Sequence, residues 1–220
     1  MTGKFRFLSK PVLLFVGILL FSGKIFQAGQ EIVDRILAVV EDEVITLTDV
    51  RIVEEFELFS ESLPNGEERR KIILEKLIDQ KLVLRMAEEE FYVRGEEVDA
   101  FLRRLAQKMG YETVNRKLES FGLAWDDLRK YIREEIAFQE IIAQKFKKSV
   151  VISLKEIESY YTKVYLSLQK GKNEPILPMM EILDVIESVL RDEKTKEQVR
   201  EWISSLREKA EIQVNDFKSF

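Results

Sequence analysis

IVDRILAVVEDEVIT, residues 32–46, is the stretch on which the fold class turns. Ile32 to Val40 is rich in β-branched residues and reads as a strand. Glu41-Asp42-Glu43 is a tight polar turn, and Val44-Ile45 returns as a short second strand. The stretch is therefore a β-hairpin signal, although it lacks the Asn-Gly or Asp-Gly pair that marks the strongest ones. Thr46 stands three residues before Asp49, the spacing of a capping box with Asp in place of Glu. The hairpin thus leads directly into a helix, expected to run to about Ser60.

From there the pattern is helical. Pro64-Asn65-Gly66 ends the connection, and Glu67 to about Phe91 is the longest helical run. Its apolar residues, among them Ile73, Leu74, Leu77, Ile78 and Leu82, cover a wide arc and call for neighbours on more than one side. Val98, Phe101, Leu102, Leu105 and Met109 make a one-faced helix that Gly110 stops. Val114, Leu118 and Phe121 mark a short helix stopped by Gly122. Asp126 and Asp127 open the next helix, at the end where the dipole favours carboxylates. Its stripe is Leu128, Tyr131, Ile132, Phe138, Ile142 and Phe146, and Lys145, Lys147 and Lys148 cluster near its far end. Val150-Val151-Ile152 reads as an extended link. Ser153 and Glu156 form a second capping box, before a helix through about Leu168.

Gln169 to Pro178 (QKGKNEPILP) reads as a linker. Beyond it, Ile182, Ile186, Val189 and Leu190, then Val199, Trp202, Ile203 and Leu206, give two helical patterns with a break or kink expected at Asp192 to Thr195. Glu211 to Val214 is a last short strand, expected to pair with the hairpin. The fold class is mainly α: a helical module with a small N-terminal β-hairpin, completed by a short C-terminal strand.

The N-terminus carries an export pattern. Lys4, Arg6 and Lys10 precede an unbroken apolar run, Pro11 to Phe21. That run suits a signal peptide better than a span of about 20 residues. Residues 1–28 are read as a signal peptide, with Ala28 at the cleavage site and an uncleaved anchor as the alternative. Removing Lys4, Arg6, Lys10 and Lys24 makes a net charge of −5 more negative still. An acidic chain is a poor partner for nucleic acid, whose phosphates need a basic surface. The chain has no His and no Cys. That excludes disulfides, a lipid-bearing cysteine, zinc-finger sites and His- or Cys-based catalysis. The run Glu41-Asp42-Glu43 lacks the spacing of a calcium loop.

Four segments occur in a set order: residues 32–46; LIDQKLV at 77–83; Phe121-Gly122-Leu123-Ala124-Trp125 with Leu128-Arg129 and Ile132-Arg133; and ISLKEIESYY at 152–161. Together they resemble the N-terminal chaperone module of the SurA and PpiC-type periplasmic folding factors, over residues 31–168 and more weakly 178–214. The resemblance implies an exported, periplasmic chaperone that binds unfolded polypeptides, such as outer-membrane protein precursors, and needs no metal, cofactor or ATP. In such proteins a parvulin-type prolyl isomerase follows the Tyr-Tyr helix. Here the linker 169–178 stands in its place, and residues 179–220 supply helices and a strand expected to pack back on the N-terminal domain. Parvulin sites also use His. The implied function is chaperone without isomerase, so not an enzyme. Ala124 stands where relatives often carry a Ser cap.

Aromatic residues near predicted element ends are the candidate client contacts: Phe56, Phe59, Phe91, Tyr92, Trp125 and Trp202. Such residues are enriched where proteins meet, and a contiguous apolar patch marks an interaction site. A different class of function, an envelope adaptor or structural subunit holding one folded partner on the same helical surface, is the alternative.

Overall fold

The hairpin forms as expected, but its first strand is shorter. In the computed structural model, which describes residues 34–59, 64–87, 92–146, 150–172 and 175–215, β1 (Ile36–Val40) pairs antiparallel with β2 (Glu43–Thr46). Residues 34 and 35 serve the following helix instead: Leu47 N–H donates to the Arg35 carbonyl (2.8 Å) and Thr48 N–H to Asp34 Oδ1 (3.2 Å). The export segment read at residues 1–28 lies outside the described residues.

The acidic turn is held by three separate contacts. Glu41 adopts φ 56, a left-handed conformation costly for a residue with a Cβ. Two bonds to Glu211 offset that cost: Glu41 N–H donates to the Glu211 carbonyl (2.8 Å), and the Glu41 carboxylate accepts from Glu211 N–H (3.0 Å). Asp42 pairs with Arg85, and Glu43 with Lys81 at 3.0 Å.

The capping box at Thr46 and Asp49 starts α1 (Leu47–Glu55) with both reciprocal bonds made. Asp49 also accepts from the Tyr131 hydroxyl at 2.6 Å. Burial, with the Asp49 carboxylate beside it, pushes the Tyr131 phenol above its ordinary pKa. The helix stops well before Ser60. Glu57 turns left-handed (φ 47), and Leu58 N–H donates back to the Val53 carbonyl at 3.2 Å. This is a Schellman closure, with its hydrophobic contact supplied by the buried pair Val53 and Leu58.

Four helices follow: α2 (Glu67–Met86), α3 (Gly95–Met109), α4 (Tyr111–Phe121) and α5 (Trp125–Phe146). Gly122 ends α4 at φ 68, the left-handed position that glycine adopts without strain. Lys81, largely buried on α2, bridges Glu43 of β2 and Glu134 of α5 at 3.0 and 3.1 Å. Leu37, Ile45, Val50, Phe56, Leu74, Ile78, Leu128 and Ile132 belong to one continuous core.

The cap of α5 is half made. Asp127 Oδ2 accepts from Ala124 N–H at 2.7 Å, one of the two bonds of a capping box. Ala124 has no side-chain oxygen to return the other to the Asp127 N–H. Ala124→Ser is expected to raise stability by about 0.5–1 kcal/mol, seen as a higher urea midpoint with an unchanged slope.

α6 (Leu154–Tyr160) opens with the second expected box: Glu156 accepts from Ser153 N–H (2.9 Å) and Oγ (2.6 Å). The helix passes through a π turn at Tyr161–Tyr165 into α7 (Leu166–Lys172), so helix occupies the first part of the stretch expected to be linker. Gly171 weakens a helix without ending it. The prolines at 175 and 178 mark the true break. The rings of Tyr161 and Tyr165 stack at 5.3 Å and hold the break from both sides: Tyr161 Oη donates to the Leu177 carbonyl (2.9 Å), and Tyr165 Oη accepts from Leu177 N–H (3.1 Å).

After a 3₁₀ turn at Met179–Glu181, α8 (Leu183–Arg207) runs unbroken for 25 residues. The break expected at 192–195 is absent. Only the apolar stripe is interrupted there; no residue is incompatible with a helix, and the cations Arg191 and Lys194 find partners. Arg191 donates to the Val150 carbonyl (2.7 Å), and Lys194 donates to the Val151 carbonyl (3.1 Å) and pairs with Glu156 (2.5 Å). Ile157, Ile182 and Ile186 make a small second core beneath α6 and α8. β3 (Ile212–Val214) then closes on the free side of β1, giving the sheet order β2-β1-β3.

The Glu156 contact is sensitive to pH. The Lys194 ammonium, together with the Ser153 donors, holds its carboxyl down at about 2 against an ordinary 4.5. A depressed pKa contributes stability above the ordinary value and loses it as pH falls through the folded one. The contact should therefore persist at pH 4.5 and fail toward pH 2. A carboxyl titration by NMR is expected to place the Glu156 midpoint near 2, and Lys194→Met should move it upward.

Candidate functional site

α8 crosses the body of the module without filling the space beneath it. Only Ile186 is fully buried among its residues, while Val199, Trp202, Ile203 and Leu206 are half-buried. Between α8, α2 and α5 lies a groove of about 760 Å³, within the range of about 300–1,000 Å³ typical of binding clefts. Phe138 and Ile142 on α5, Val199 and Ile203 on α8, and Phe59 beyond the end of α1 supply its apolar lining. On each helix the pair is spaced at i and i+4, which puts both side chains on one face.

The floor is polar and satisfied from within the protein. Gln80 and Glu135 are buried; Gln80 Nε2 donates to one Glu135 oxygen (3.1 Å) and Gln139 Nε2 to the other (3.0 Å). One end is latched by Arg207, whose guanidinium donates to Asp79 (2.6 Å), the Glu75 carboxylate (2.8 Å) and the Glu75 carbonyl (3.0 Å). Burial pushes the Asp79 carboxyl above its ordinary pKa, against the opposing pull of Arg207. Further along the α5–α8 seam, Trp202 meets Phe146 edge-on at 5.6 Å under the Lys145 ammonium, 4.8 Å from the ring.

The aromatic residues singled out in the sequence scatter. Phe59 lines the groove, with Lys76 5.8 Å from its ring. Trp202 is half-buried in the seam. Trp125 is half-buried too, stacked on Tyr111 at 5.3 Å with its Nε1–H bonded to Asn115 (2.8 Å), so it positions α5 against α4. Tyr92 is 83% exposed and far from full burial. Phe91 lies outside the described residues. Phe56 is corrected outright: it is fully buried in the core, its ring 6.5 Å from that of Phe121, because it continues the buried stripe of α1, one turn on from Ile52 and Val53, with its N–H still donating to the Ile52 carbonyl (3.0 Å). The groove residues Phe138, Ile142, Val199 and Ile203 had the sequence signature of core stripes. The available hint was that α5 carries two adjacent apolar faces, one ending at Ile141 and one at Ile142.

A family model of the SurA N-terminal domain matches residues 33–142. The chain belongs to the SurA N-terminal domain family. Among curated proteins, this SurA-like chain is 24% identical over 149 residues to Chaperone SurA of Legionella pneumophila strain Philadelphia 1, covering 64% of this chain and 35% of that protein. It is 28% identical over 142 residues to Chaperone SurA of Bordetella avium (61% and 28% covered) and 25% identical over 171 residues to that of Pectobacterium atrosepticum (74% and 39%). The chain spans about a third of the length of these curated relatives. The family match contains β1 to most of α5, so it covers two walls of the groove but not α8.

Proposed function

We propose that this chain is an exported, periplasmic chaperone module that holds unfolded polypeptides, outer-membrane protein precursors among them, in the groove between α2, α5 and α8, without isomerase chemistry of its own. The observation that carries the reading is the groove: an apolar lining left half-covered by a long helix, over a polar floor already satisfied by Gln80, Glu135 and Gln139. Apolar side chains of a client gain by leaving water there, and no buried donor or acceptor on the floor needs a partner from the client. Ordering a flexible chain opposes binding, so affinity at one groove is modest and release needs no nucleotide. The chaperone character of the family and the export pattern at residues 1–28 support the same reading.

The test is light scattering of a β-barrel membrane protein diluted from urea, with and without the chain at near-equal concentration. Suppressed aggregation is the expected result. No suppression, combined with capture of one folded partner at fixed stoichiometry, would replace the chaperone reading with an adaptor.

A further inference from the structure

Among the described residues, β3 is bound on one side only. It is an edge of the sheet, next to β1. Along an antiparallel strand, successive residues direct their backbone groups to opposite sides. Glu211 and Asn215 direct theirs toward the β1 side: Glu41 N–H donates to the Glu211 carbonyl (2.8 Å) and Asn215 N–H to the Leu37 carbonyl (2.9 Å). Gln213, opposite Val39, shares their phase. Ile212 and Val214 therefore turn their N–H and C=O groups away from β1, where no described residue meets them.

The side chains have a matching phase. Val214 stands opposite Ala38, and Ile212 opposite Val40. Ala38 and Val40 are buried, Ile212 packs on the core, and Val214, with no described strand beyond it, is 48% exposed. The two edges of the sheet differ. β2 carries Glu43, paired with Lys81, and passes through the Thr46 cap directly into α1. Charge and an immediate helix discourage a further strand. The Ile-Gln-Val of β3 has no charge, no proline and no bulge.

We propose that the outer edge of β3 is a second binding place for unfolded chain, taking one extended segment as a fourth strand. Ile212 and Val214 supply the backbone donors and acceptors. The segment's alternate side chains lie beside Val214 and extend the inner, apolar face of the sheet. The chemistry selects an extended segment with apolar residues at every second position, the pattern of a barrel strand. The proposal rests on the reading of the chain as a binder of unfolded polypeptide, but it places binding at a site separate from the groove.

Val214→Pro is the discriminating variant. It removes the outward N–H of Val214 and leaves the bonds of Gln213 and Asn215 to β1 in place. The probe is a labelled peptide alternating Val and Thr, offered to the full chain in its native form or with every second amide N-methylated. Fluorescence anisotropy is expected to show roughly tenfold weaker binding both for Val214→Pro with the native peptide and for the wild type with the methylated peptide. Equal binding of native and methylated peptides overturns the proposal, and does so even if Val214→Pro fails to fold. A concentration-dependent dimer that Val214→Pro abolishes, with no peptide binding, also overturns it by assigning the edge to a second copy. The two readings fail separately. Protection from aggregation without methyl-sensitive binding leaves the chaperone and removes the edge site; methyl-sensitive binding without protection does the reverse.

Discussion

Phe56→Ala is expected to lower the unfolding free energy by about 3–5 kcal/mol, a large fraction of the roughly 5–15 kcal/mol that holds a domain together. The ring has no exposure and lies where α1 ends in its left-handed turn, facing Phe121. Deleting it removes apolar contact and leaves a cavity between elements that cannot close independently: α1 is fixed at its start by the Thr46–Asp49 box, and Asp49 is held by Tyr131 of α5. Urea unfolding with an unchanged slope would measure the loss. A ring that acted by touching clients would give the opposite pattern, weaker protection at unchanged stability. Phe59, a few residues on and open to the groove, is the internal comparison. Its truncation should cost far less stability, because a half-buried ring has less apolar surface to lose and solvent can fill the space.

The contrast between these neighbouring phenylalanines shows what was legible in the sequence. Local chemistry was. Thr46 with Asp49 and Ser153 with Glu156 bond within four residues of each other, so their spacing alone located two helix starts. Gly110 and Gly122 marked two helix ends through backbone freedom. β3 was legible because EIQV follows the last helix and a lone hairpin needs a third strand. Features decided by distant partners were not. At residues 192–195 of α8 the apolar stripe lapses although no residue opposes a helix, and the contacts of Arg191 and Lys194 with the Val150 and Val151 carbonyls, which fasten that part of α8, come from far away in the chain. The early end of α1 depends on Glu57 accepting a left-handed conformation, which a glutamate does not advertise and which lets Leu58 close back on Val53. The groove is the extreme case. The stripes of α5 and α8 were visible, but whether a stripe is covered depends on the shape of the surface it meets, and that surface is assembled from three helices far apart in the chain.

On the proposed holding function, placing aspartates at Val199 and Ile203 together is expected to raise the concentration of chain needed to halve aggregation of an unfolded barrel protein by roughly tenfold or more, with little change in thermal midpoint. Both side chains line the groove from α8 and both are only half-buried. In the free protein an aspartate at either position can stay hydrated, so the fold is spared. With a client in place the same carboxylate would lose water; Gln80 and Gln139 already donate to Glu135 and cannot replace it, and the lining cations Lys76, Lys196 and Arg200 would offset only part of the loss. The penalty therefore falls mainly on the bound state. That selectivity separates a holding surface from a structural seam, since a seam would lose stability in the absence of client. If the double variant protected clients as well as the wild type, the groove would not be the holding surface. The search would then move to the exposed apolar residues around α7 and the start of α8, among them Leu168, Met180 and Val185.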